Sequence, residues 1–492
     1  MRGYPKKFLY RKKLQNTFFI LNMKTYAIFC GGNFIETNTE LSVSNPFNGE
    51  IFAKTFLAES SHLETAIKAA QAANAEMKTM PSFRKYKILT EIATKISEKK
   101  TYLATILSLE CAKPMRYAIG EIDRAIQTFV VAAEESKRIP AEVISLDWTS
   151  AGSGKEGKIK YFPVGLVAAI APFNFPLNLA VHKLAPAIAA GNTIILKPAR
   201  STPLSVLELA KIISETDLPK GAVSILPMDR IAGNQLVTDE RFKLLTFTGS
   251  PEVGWQMKKN CGNKRIVLEL GGNAGAAITE SADLENAVNK CVTGAFAYSG
   301  QVCIHLQRIY VHSSVFEEFS QKFIEKTKTL KTGNPLELDT DISAMIDEEN
   351  AIRVENWVNE AVAQGAKLLH GGKRTQTYFE PTVLTQTHNT MKVCALEIFG
   401  PVVTLEKYDN FSDVLQQING SNYGLQAGIF TNKISEMDMA FNELEVGGVI
   451  INDVPTFRVD HMPYGGVKNS GLGREGVKYA IAEMMEPKLL VK

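Results

Sequence analysis

From Val164 onward the chain alternates short apolar runs, rich in strand formers, with longer segments of helical periodicity. The run "VGLVAAIAP" is followed by "PLNLAVHKLAPAIAAGN", and "NTIILKPA" is followed by "PLSVLELAKIISET". Further strand-like runs are "AVSILP", "KLLTFTG" and "RIVLELGG". Such alternation predicts a parallel sheet that helices cover on both faces. We therefore expect an α/β fold that binds its ligands at the carboxyl ends of the strands.

A second strand–helix unit begins after Gly272, where the sequence predicts that Ser281 caps the helix "DLENAVNKCVTGAFAYS". In the first unit, Pro186 is predicted to disturb its helix. The stretch "AEVISLDWTSAGSGKEGKIKYFPVG" breaks the alternation and predicts a hairpin around 152–157. The final "KLLVK" predicts a strand. Isolated hairpins and tails of this kind often pair with a strand of another subunit.

Size and charge exclude several classes of protein. A chain of 492 residues is expected to fold into two or more domains. The net charge of +3 and the absence of a basic stripe argue against nucleic acid as a partner. A membrane span is not expected either, because no run approaches the roughly 18–20 apolar residues that it needs.

The six cysteines, at positions 30, 111, 261, 291, 303 and 394, are scattered without paired spacing. Neither a metal site nor a disulfide framework is therefore expected, and the reduced cytoplasm is the predicted setting. Residues 1–23 are rich in lysine and arginine. They read as a disordered extension, as translation from a start codon placed before Met23, or as a targeting segment.

Three side chains are candidates for chemistry. Cys303 follows a helix-like stretch and precedes a strand, so it is either a structural thiol or a nucleophile. Glu269 lies in the apolar run "VLELGG", where a carboxylate is costly to bury, and reads as an ion-pair partner or a general base. Asn174 in "PFNFPL" reads as a turn residue or an oxyanion donor. Gly249 and Ser250 precede a predicted helix start, where a phosphate could bind.

Seven segments in order give the chain a resemblance to NAD(P)-dependent aldehyde dehydrogenases from about residue 40 to the end. They are "PFNFPL", "GNTIILKPA", "FTGSPEVG", "LELGG", "GQVC", "EIFGPVV" and "PYGGVKNSGLGREG". The resemblance points to members that act on lactaldehyde, semialdehydes or, without phosphorylation, glyceraldehyde 3-phosphate. It implies that Cys303 attacks the aldehyde, that Asn174 and the Cys303 N–H hold the oxyanion, and that Glu269 activates water.

The resemblance also implies where the cofactor binds. Lys197 would hold the adenine-side ribose, Ser250 would contact the pyrophosphate, and Glu397 and Phe399 would position the nicotinamide half. The full set implied for the cofactor is Pro172, Phe173, Lys197, Arg200, Gly249, Ser250, Val253, Leu270, Glu397 and Phe399. No metal is implied.

Arg200 departs from the NAD-preferring pattern, which places glutamate three residues after the lysine. A guanidinium does not repel a 2′-phosphate and can pair with it. Arg200 therefore predicts that NADP is accepted beside NAD, and preferred if the side chain reaches the phosphate. The alternative is an arginine turned to solvent. A second departure is Asn273, which stands where family members often have lysine.

The resemblance places Phe175, His182 and Ile304 at the aldehyde tunnel, together with the "TFRVDHM" loop. Arg458 in that loop and Arg124 on a predicted helix suit a small aldehyde that carries a carboxylate, phosphate or hydroxyl group. The alternative is that both arginines make structural ion pairs, for example Arg458 with Asp460.

The fold that the resemblance implies has two doubly wound parallel-sheet domains and a β arm for oligomerisation. The cofactor domain, Rossmann-like, comprises 24–140 and 161–271, and the catalytic domain comprises 272–450. The arm comprises 141–160 and 478–492, while 451–477 forms an active-site loop that returns to the cofactor domain. A homodimer or homotetramer follows.

Three alternatives remain open for such a sequence. A dehydrogenase that passes the acyl group to coenzyme A usually lacks the carboxylate found here at Glu269. A cysteine esterase or hydrolase without redox activity would not need Lys197, Ser250, Glu397 or Phe399. A non-catalytic scaffold would be free to lose Cys303.

Overall fold

The computed structural model describes residues 24–492, so the expectations for 1–23 lie outside it. Two large sheets and a three-stranded arm organise this part of the chain. The first large sheet has eight strands, in the spatial order Gly471–Leu472, Arg265–Glu269, Leu244–Thr248, Leu166–Ile170, Thr193–Lys197, Val223–Ile225, Ile28–Cys30 and Asn33–Ile35. The five strands from Arg265–Glu269 to Val223–Ile225 run parallel. The strands predicted from the apolar runs after Val164 are therefore confirmed.

Helices cover both faces of this sheet, because its strands are apolar on both sides. Val167 and Ala169 contribute to one core, whereas Leu166, Ala168 and Ile170 contribute to the other. This period-two division of one buried strand is typical of a doubly wound sheet. The helices of this half are Ser60–Thr79, Ser82–Glu98, Lys100–Cys111, Met115–Glu135, Pro176–Ala190, Leu204–Ser214, Arg230–Thr238, Pro251–Asn260 and Val477–Glu483.

The second large sheet has seven strands and follows the first along the chain. Their spatial order is Lys367–His370, Thr382–Thr385, Val402–Tyr408, Leu306–His312, Ala274–Ile278, Gln426–Phe430 and Gly448–Ile451. All pairs are parallel except the one that Lys367–His370 makes. Its helices are Leu284–Phe296, Phe316–Lys328, Glu348–Ala363, Lys392–Ala395, Phe411–Asn419 and Ile434–Glu443. The α/β fold with two parallel-sheet halves is thus confirmed.

The arm consists of three antiparallel strands, with Glu156–Pro163 between Ala141–Ser145 and Met485–Val491. The hairpin and the C-terminal strand predicted from the sequence are both present. Smaller strands pair elsewhere in the described chain. They are Lys24–Thr25, Ile51–Phe56 and Glu40–Ser44 in one sheet, and Arg374–Thr375 with Tyr378–Phe379 and Tyr423–Gly424 with Val467–Lys468 as two ribbons. No helix of residues 24–492 is long and apolar enough to cross a lipid bilayer.

Two local predictions are wrong. The helix Pro176–Ala190 continues through Pro186, although a proline inside a helix costs about 3 kcal/mol. Every residue of this helix is buried, so packing on all sides outweighs the lost backbone bond. Asp283 rather than Ser281 caps the helix Leu284–Phe296, because its carboxylate accepts from the Asn286 N–H at 3.0 Å. Ser281 instead shares a hydrogen bond with Thr431 at 3.2 Å.

Candidate active site

Cys303 lies in the loop between the short 3-10 turn Ala297–Gly300 and the strand Leu306–His312, which is central in its sheet. Tyr298 and Ser299 adopt positive φ angles of 51° and 53°, a conformation that costs a non-glycine residue free energy. Buried contacts hold this turn. The Tyr298 hydroxyl donates to the Cys111 carbonyl at 3.2 Å, and the Ser299 hydroxyl donates to the Ser343 carbonyl at 2.8 Å.

Close backbone approaches fix the position of this loop. A Cβ on Gly272 would lie 2.2 Å from the Cys303 carbonyl oxygen, so only glycine fits there. Gly300 combines a φ of +68° with a space in which a Cβ would meet the Gly400 carbonyl oxygen at 2.1 Å. The "LELGG" and "EIFGPVV" segments therefore brace the cysteine loop from two sides.

Next to Cys303 is a cavity of about 440 Å³ at the carboxyl ends of the first sheet. Most of the predicted catalytic and cofactor residues line it: Pro172, Phe173, Asn174, Gly249, Ser250, Glu269, Leu270, Cys303, Glu397 and Phe399. The structure thus brings together segments that are as far apart in the sequence as Pro172 and Phe399.

Asn174 follows the strand Leu166–Ile170 and is buried. Its side-chain amide donates one hydrogen bond, to the Gln301 carbonyl at 3.0 Å, which leaves the second N–H for another acceptor. The backbone carbonyl of Asn174 accepts a hydrogen bond from the Lys113 ammonium at 2.6 Å. Lys113 is fully buried and forms an ion pair with Glu121, whose carboxylate also accepts from the N–H of Leu177 at 3.0 Å. A buried ion pair therefore holds the Asn174 loop in place.

Glu269 ends the strand Arg265–Glu269 and is 3% exposed. Neither of its carboxylate oxygens has a hydrogen-bond partner within residues 24–492. Burial raises the pKa of Glu269 well above its usual value, and the Glu475 carboxylate raises it further, against the charges of Arg458 and Lys183. A buried carboxyl group without a partner is held ready to exchange a proton.

Tyr464 contacts the nucleophile candidate. Its hydroxyl lies 3.0 Å from the Cys303 sulfur, and Ile304 packs in the same apolar cluster. Burial raises the pKa of the Cys303 thiol to about 11, while the hydrogen bond from Tyr464 and the charge of Arg458 act in the opposite direction. Tyr464 and Arg458 therefore favour the ionised form of a half-buried sulfur, whereas the carboxyl groups of Glu397 and Glu269 oppose it.

A buried ionic network lies beyond Tyr464. Arg458 donates to Glu475 at 3.0 Å, and Lys183 pairs with the same carboxylate at 3.3 Å. Arg124 and His182 both bind one oxygen of Asp460, each at 2.8 Å. The arginines thus make ion pairs, as the alternative in the sequence analysis supposed, but the partner of Arg458 is Glu475. The Arg458 Nε remains buried without a partner among the described residues.

The other predicted substrate residues lie around Cys303 but outside the lining of the 440 Å³ cavity. His182 is buried and bound to Asp460, and burial lowers its pKa. The ring of Phe175 packs edge-to-face on Tyr298, with centroids 6.0 Å apart, and the Lys113 ammonium lies 3.7 Å from its centroid.

On the cofactor side, Glu397 accepts the Gly272 N–H at 2.9 Å, and burial raises its pKa to about 8. Phe399 has a positive φ of 43° and packs edge-to-face on Phe173 at 5.8 Å. Asn273 donates to the Cys394 carbonyl at 2.5 Å and so anchors the chain just before Glu397. This contact supplies a structural role for the asparagine that replaces the usual lysine.

Lys197, Arg200 and Val253 are not part of that cavity lining. Lys197 ends the strand Thr193–Lys197, and its ammonium makes no hydrogen bond or ion pair recorded within residues 24–492. Burial lowers the pKa of Lys197, and the nearby Arg200 lowers it further against the carboxylate of Asp229. Arg200 itself lines a separate cavity of about 800 Å³ with 41–49 and Glu348.

Several site residues were missed from the sequence. Arg353 and Trp357 line the 440 Å³ cavity from the helix Glu348–Ala363, and the guanidinium lies 4.9 Å from the indole centroid. Helical spacing could not distinguish these residues from an ordinary surface pair. Tyr464 and Glu475 lie inside the quoted "PYGGVKNSGLGREG" motif, where the tyrosine hydroxyl was the available signal. Within the described chain, no group of acidic, histidine or cysteine side chains could hold a metal ion.

Comparisons with known proteins agree with this geometry. Residues 34–490 match the family model that is described as "Aldehyde dehydrogenase family". A 3-sulfolactaldehyde dehydrogenase of Priestia megaterium is 41% identical over 476 residues, which are 96% of this chain and 99% of that protein.

Two solved structures are also similar. Aldehyde dehydrogenase 21 of Physcomitrella patens, in complex with the reaction product succinate, superimposes with a TM-score of 0.94 at 44% identity, covering 96% of this chain and 98% of the other. Glyceraldehyde-3-phosphate dehydrogenase GapN of Methanocaldococcus jannaschii, complexed with NADP, has a TM-score of 0.88 at 40% identity, covering 93% and 100%.

Proposed function

Because the chain belongs to the aldehyde dehydrogenase family, we propose that Cys303, Asn174 and Glu269 carry out its reaction, the NAD(P)-dependent oxidation of a small anionic aldehyde. One observation carries this assignment. A thiol, an amide with a free N–H and an unpartnered carboxyl group come from three separate segments of the chain and line the same cavity. Acyl transfer through a thioester needs this combination of groups.

In the proposed mechanism the Cys303 thiolate attacks the aldehyde carbon and forms a thiohemiacetal. The second N–H of Asn174 and the backbone N–H of Cys303 stabilise the oxyanion, and such a donor contributes about 3–4 kcal/mol. A nicotinamide cofactor held by the residues described below would supply the hydride acceptor, and loss of hydride from the thiohemiacetal carbon would leave a thioester on Cys303. Glu269 then takes a proton from water, which attacks the thioester and releases the carboxylic acid.

The cofactor site is proposed from residues whose chemistry fits a dinucleotide. The Lys197 ammonium has no partner recorded in the described chain, so ribose hydroxyls would satisfy it. Ser250 precedes the helix Pro251–Asn260, whose first N–H groups suit a pyrophosphate. Glu397 and Phe399 would position the nicotinamide half, while Arg353 adds a cation on the same side.

We expect NADP to be accepted. Arg200 lies close enough to Lys197 to lower its pKa, so two cations stand near the place proposed for the adenine-side ribose. A 2′-phosphate there would be attracted rather than repelled. The carboxylate of Asp229 offsets part of this charge, which keeps NAD as a second cofactor.

An anionic substrate follows from the charges of the buried network. Three cations, Lys183, Arg124 and Arg458, share two carboxylates, Glu475 and Asp460. The third carboxyl group near them, Glu269, has a raised pKa, so one positive charge is left while Glu269 is protonated. Arg458 also has a buried Nε without a partner among residues 24–492. A substrate carboxylate, sulfonate or phosphate would neutralise the remaining positive charge and accept a hydrogen bond from the Arg458 Nε.

The similar proteins support this class of substrate, since one is named for 3-sulfolactaldehyde and another was solved with its product succinate. Both compounds carry a negative charge a few bonds from the reacting carbon. We therefore propose short aldehydes with a terminal anionic group as substrates of this enzyme.

The arm is proposed to join subunits into a homodimer or homotetramer. It exposes several apolar side chains, among them Trp148, which is 91% exposed, and Val143, which is 65% exposed. Exposed apolar strands at a sheet edge tend to find a partner. A cytoplasmic setting is proposed as well, because all six cysteines are free.

The test is kcat/KM for matched pairs of aldehydes, each with NAD and NADP. Lactaldehyde is paired with 3-sulfolactaldehyde, and butanal with succinic semialdehyde, so each pair differs in charge. We expect the charged member to be preferred by at least about tenfold, as a hydrogen bond to a charged group predicts. Equal use of both members would contradict the proposed anion binding. A Cys303→Ser variant should bind NADPH and lose oxidation, and retained oxidation would contradict the mechanism.

A further inference from the structure

Tyr464 has a hydroxyl group for which the reaction described above has no use. The hydroxyl is buried, and its recorded hydrogen-bond partner in the described chain is the Cys303 sulfur, 3.0 Å away. A phenylalanine would fill the same apolar cluster with Ile304 and Leu425 without burying a polar atom. The hydroxyl therefore calls for an explanation.

Three residues form a closed unit that fixes the direction of this phenol. Tyr464 and Glu475 exchange two backbone hydrogen bonds, at 3.0 and 2.6 Å. The Glu475 carboxylate binds Arg458 at 3.0 Å, and the Arg458 guanidinium lies 3.5 Å from the centroid of the Tyr464 ring. Because backbone, ion pair and cation–π contact all restrain the ring, its hydroxyl stays aimed at the sulfur.

We propose that Tyr464 activates the nucleophile by donating its hydroxyl proton to the Cys303 thiolate in a hydrogen bond, with the Arg458 cation held on the ring as support. This inference rests on the proposed role of Cys303. A neutral thiol can accept or donate in this contact, but a thiolate can only accept, so the bond is strongest in the ionised state. Burial raises the pKa of Tyr464 well above its usual value, which keeps the phenol protonated as a donor.

The role has a consequence for the order of events. Once the sulfur is acylated, it carries no charge, and the hydrogen bond from Tyr464 weakens. The bond therefore stabilises the attacking thiolate more than the thioester. Its main effect should fall on acylation, and the activation of water by Glu269 should change little.

The experiment measures the rate at which iodoacetamide alkylates Cys303 as a function of pH, with no aldehyde present. Mass spectrometry of the Cys303 peptide separates this thiol from the other five. In Tyr464→Phe we expect alkylation at neutral pH to be about tenfold slower, since a hydrogen bond to a charged group is worth about that factor. The profile should move to higher pH and reach the same plateau. Tyr408→Phe, which removes a buried hydroxyl bound to the Ile278 carbonyl, is the matched control and should keep the original profile.

A second substitution keeps the test decisive if Tyr464→Phe does not fold. Replacing Tyr464 by 3-fluorotyrosine makes the phenol a stronger donor and should accelerate alkylation at neutral pH. An unchanged profile in both variants would overturn the proposal. A rate that falls equally at every pH would also overturn it, because it would indicate altered access to the sulfur. Oxidation retained by Cys303→Ser would instead contradict the proposed function, so the two failures are distinguishable.

Discussion

Two buried carboxylates of the same site, Glu269 and Glu475, have opposite surroundings. Glu269 ends a strand beside the cavity and has no hydrogen-bond partner among the described residues. Glu475 follows the strand Gly471–Leu472 of the first sheet and binds Lys183 at 3.3 Å and Arg458 at 3.0 Å. Burial raises the pKa of Glu269, whereas the neighbouring cations hold the pKa of Glu475 below its usual value despite its burial.

The difference teaches how one polar region can serve catalysis and stability separately. A carboxyl group whose pKa is raised by burial can take up and release protons near neutral pH, so it suits a general base. A carboxylate locked between two cations stays ionised and organises its neighbours. Glu269, the carboxyl group without a hydrogen-bond partner among the described residues, is therefore the one expected to react.

The largest expected effect concerns Glu269. The Glu269→Gln variant should lower kcat by about 10²–10⁴-fold, since a general base contributes that much. Its first turnover should remain visible as a burst of NADPH equal to the number of active sites, because acylation precedes the step that needs the base. Stopped-flow absorbance measures both quantities. An unchanged steady-state rate in Glu269→Gln would contradict the proposal that Glu269, unlike Glu475, acts as the general base.

The next effect concerns stability. The Glu475→Gln variant leaves Lys183 and Arg458 buried with less compensation and should lower the free energy of unfolding by about 3–5 kcal/mol. Urea denaturation measures the loss. Glu445→Gln is the matched control, because Glu445 pairs with Lys468 but is 62% exposed, so its loss should be at most about 1 kcal/mol. Equal losses of unfolding free energy in the two variants would show that the buried ion pairs of Glu475 stabilise the protein no more than an exposed ion pair does.

The two carboxylates should also have opposite pH dependence of stability. The raised pKa of Glu269 stabilises the folded protein at low pH, and this contribution is lost as the pH rises through the folded value. The lowered pKa of Glu475 stabilises at pH above the unfolded value, and this contribution is lost as the pH falls through the folded value. Relative to wild type, Glu269→Gln should therefore gain stability with rising pH, and Glu475→Gln should regain it with falling pH. Thermal midpoints at several pH values test both signs.

The smallest effect is on the coupling of the pair. Removing the negative charge at position 475 should make Glu269 easier to ionise, since the Glu475 carboxylate contributes to its raised pKa. In Glu475→Gln the acid limb of the kcat profile should move to lower pH by about one pH unit or less. A shift to higher pH would mean that the two groups do not interact as described.

Many residues proposed for the site could be selected from local sequence, because they lie in short motifs at the boundaries of strands and helices. Asn174 follows one strand, Glu269 ends another and Cys303 precedes a third, and each belongs to a short motif of the sequence. Alternating apolar runs predicted the parallel strands, since a strand buried on both faces must be apolar along its length. Strand periodicity and short motifs depend on residues that are close together in the chain.

The partners of buried charges could not be predicted in that way. Arg458 lies two residues from Asp460, yet it binds Glu475, and Asp460 binds Arg124 and His182 from distant helices. The hydrogen bond between Tyr464 and Cys303 joins residues 161 positions apart. Pro186 shows the same limit, because its helix continues where local rules predict a break.

By itself the sequence determined the α/β fold, the nucleophile candidate and the segments from which the site forms, because apolar periodicity and short motifs can be recognised over short stretches of chain. Only the tertiary structure decided that Glu475 is paired while Glu269 is not. It alone also decided that Arg458 binds Glu475 rather than Asp460 and that the Tyr464 hydroxyl faces the Cys303 sulfur. Those outcomes depend on how buried charges find partners across the fold, where desolvation makes an unpaired charge costly and leaves few arrangements acceptable.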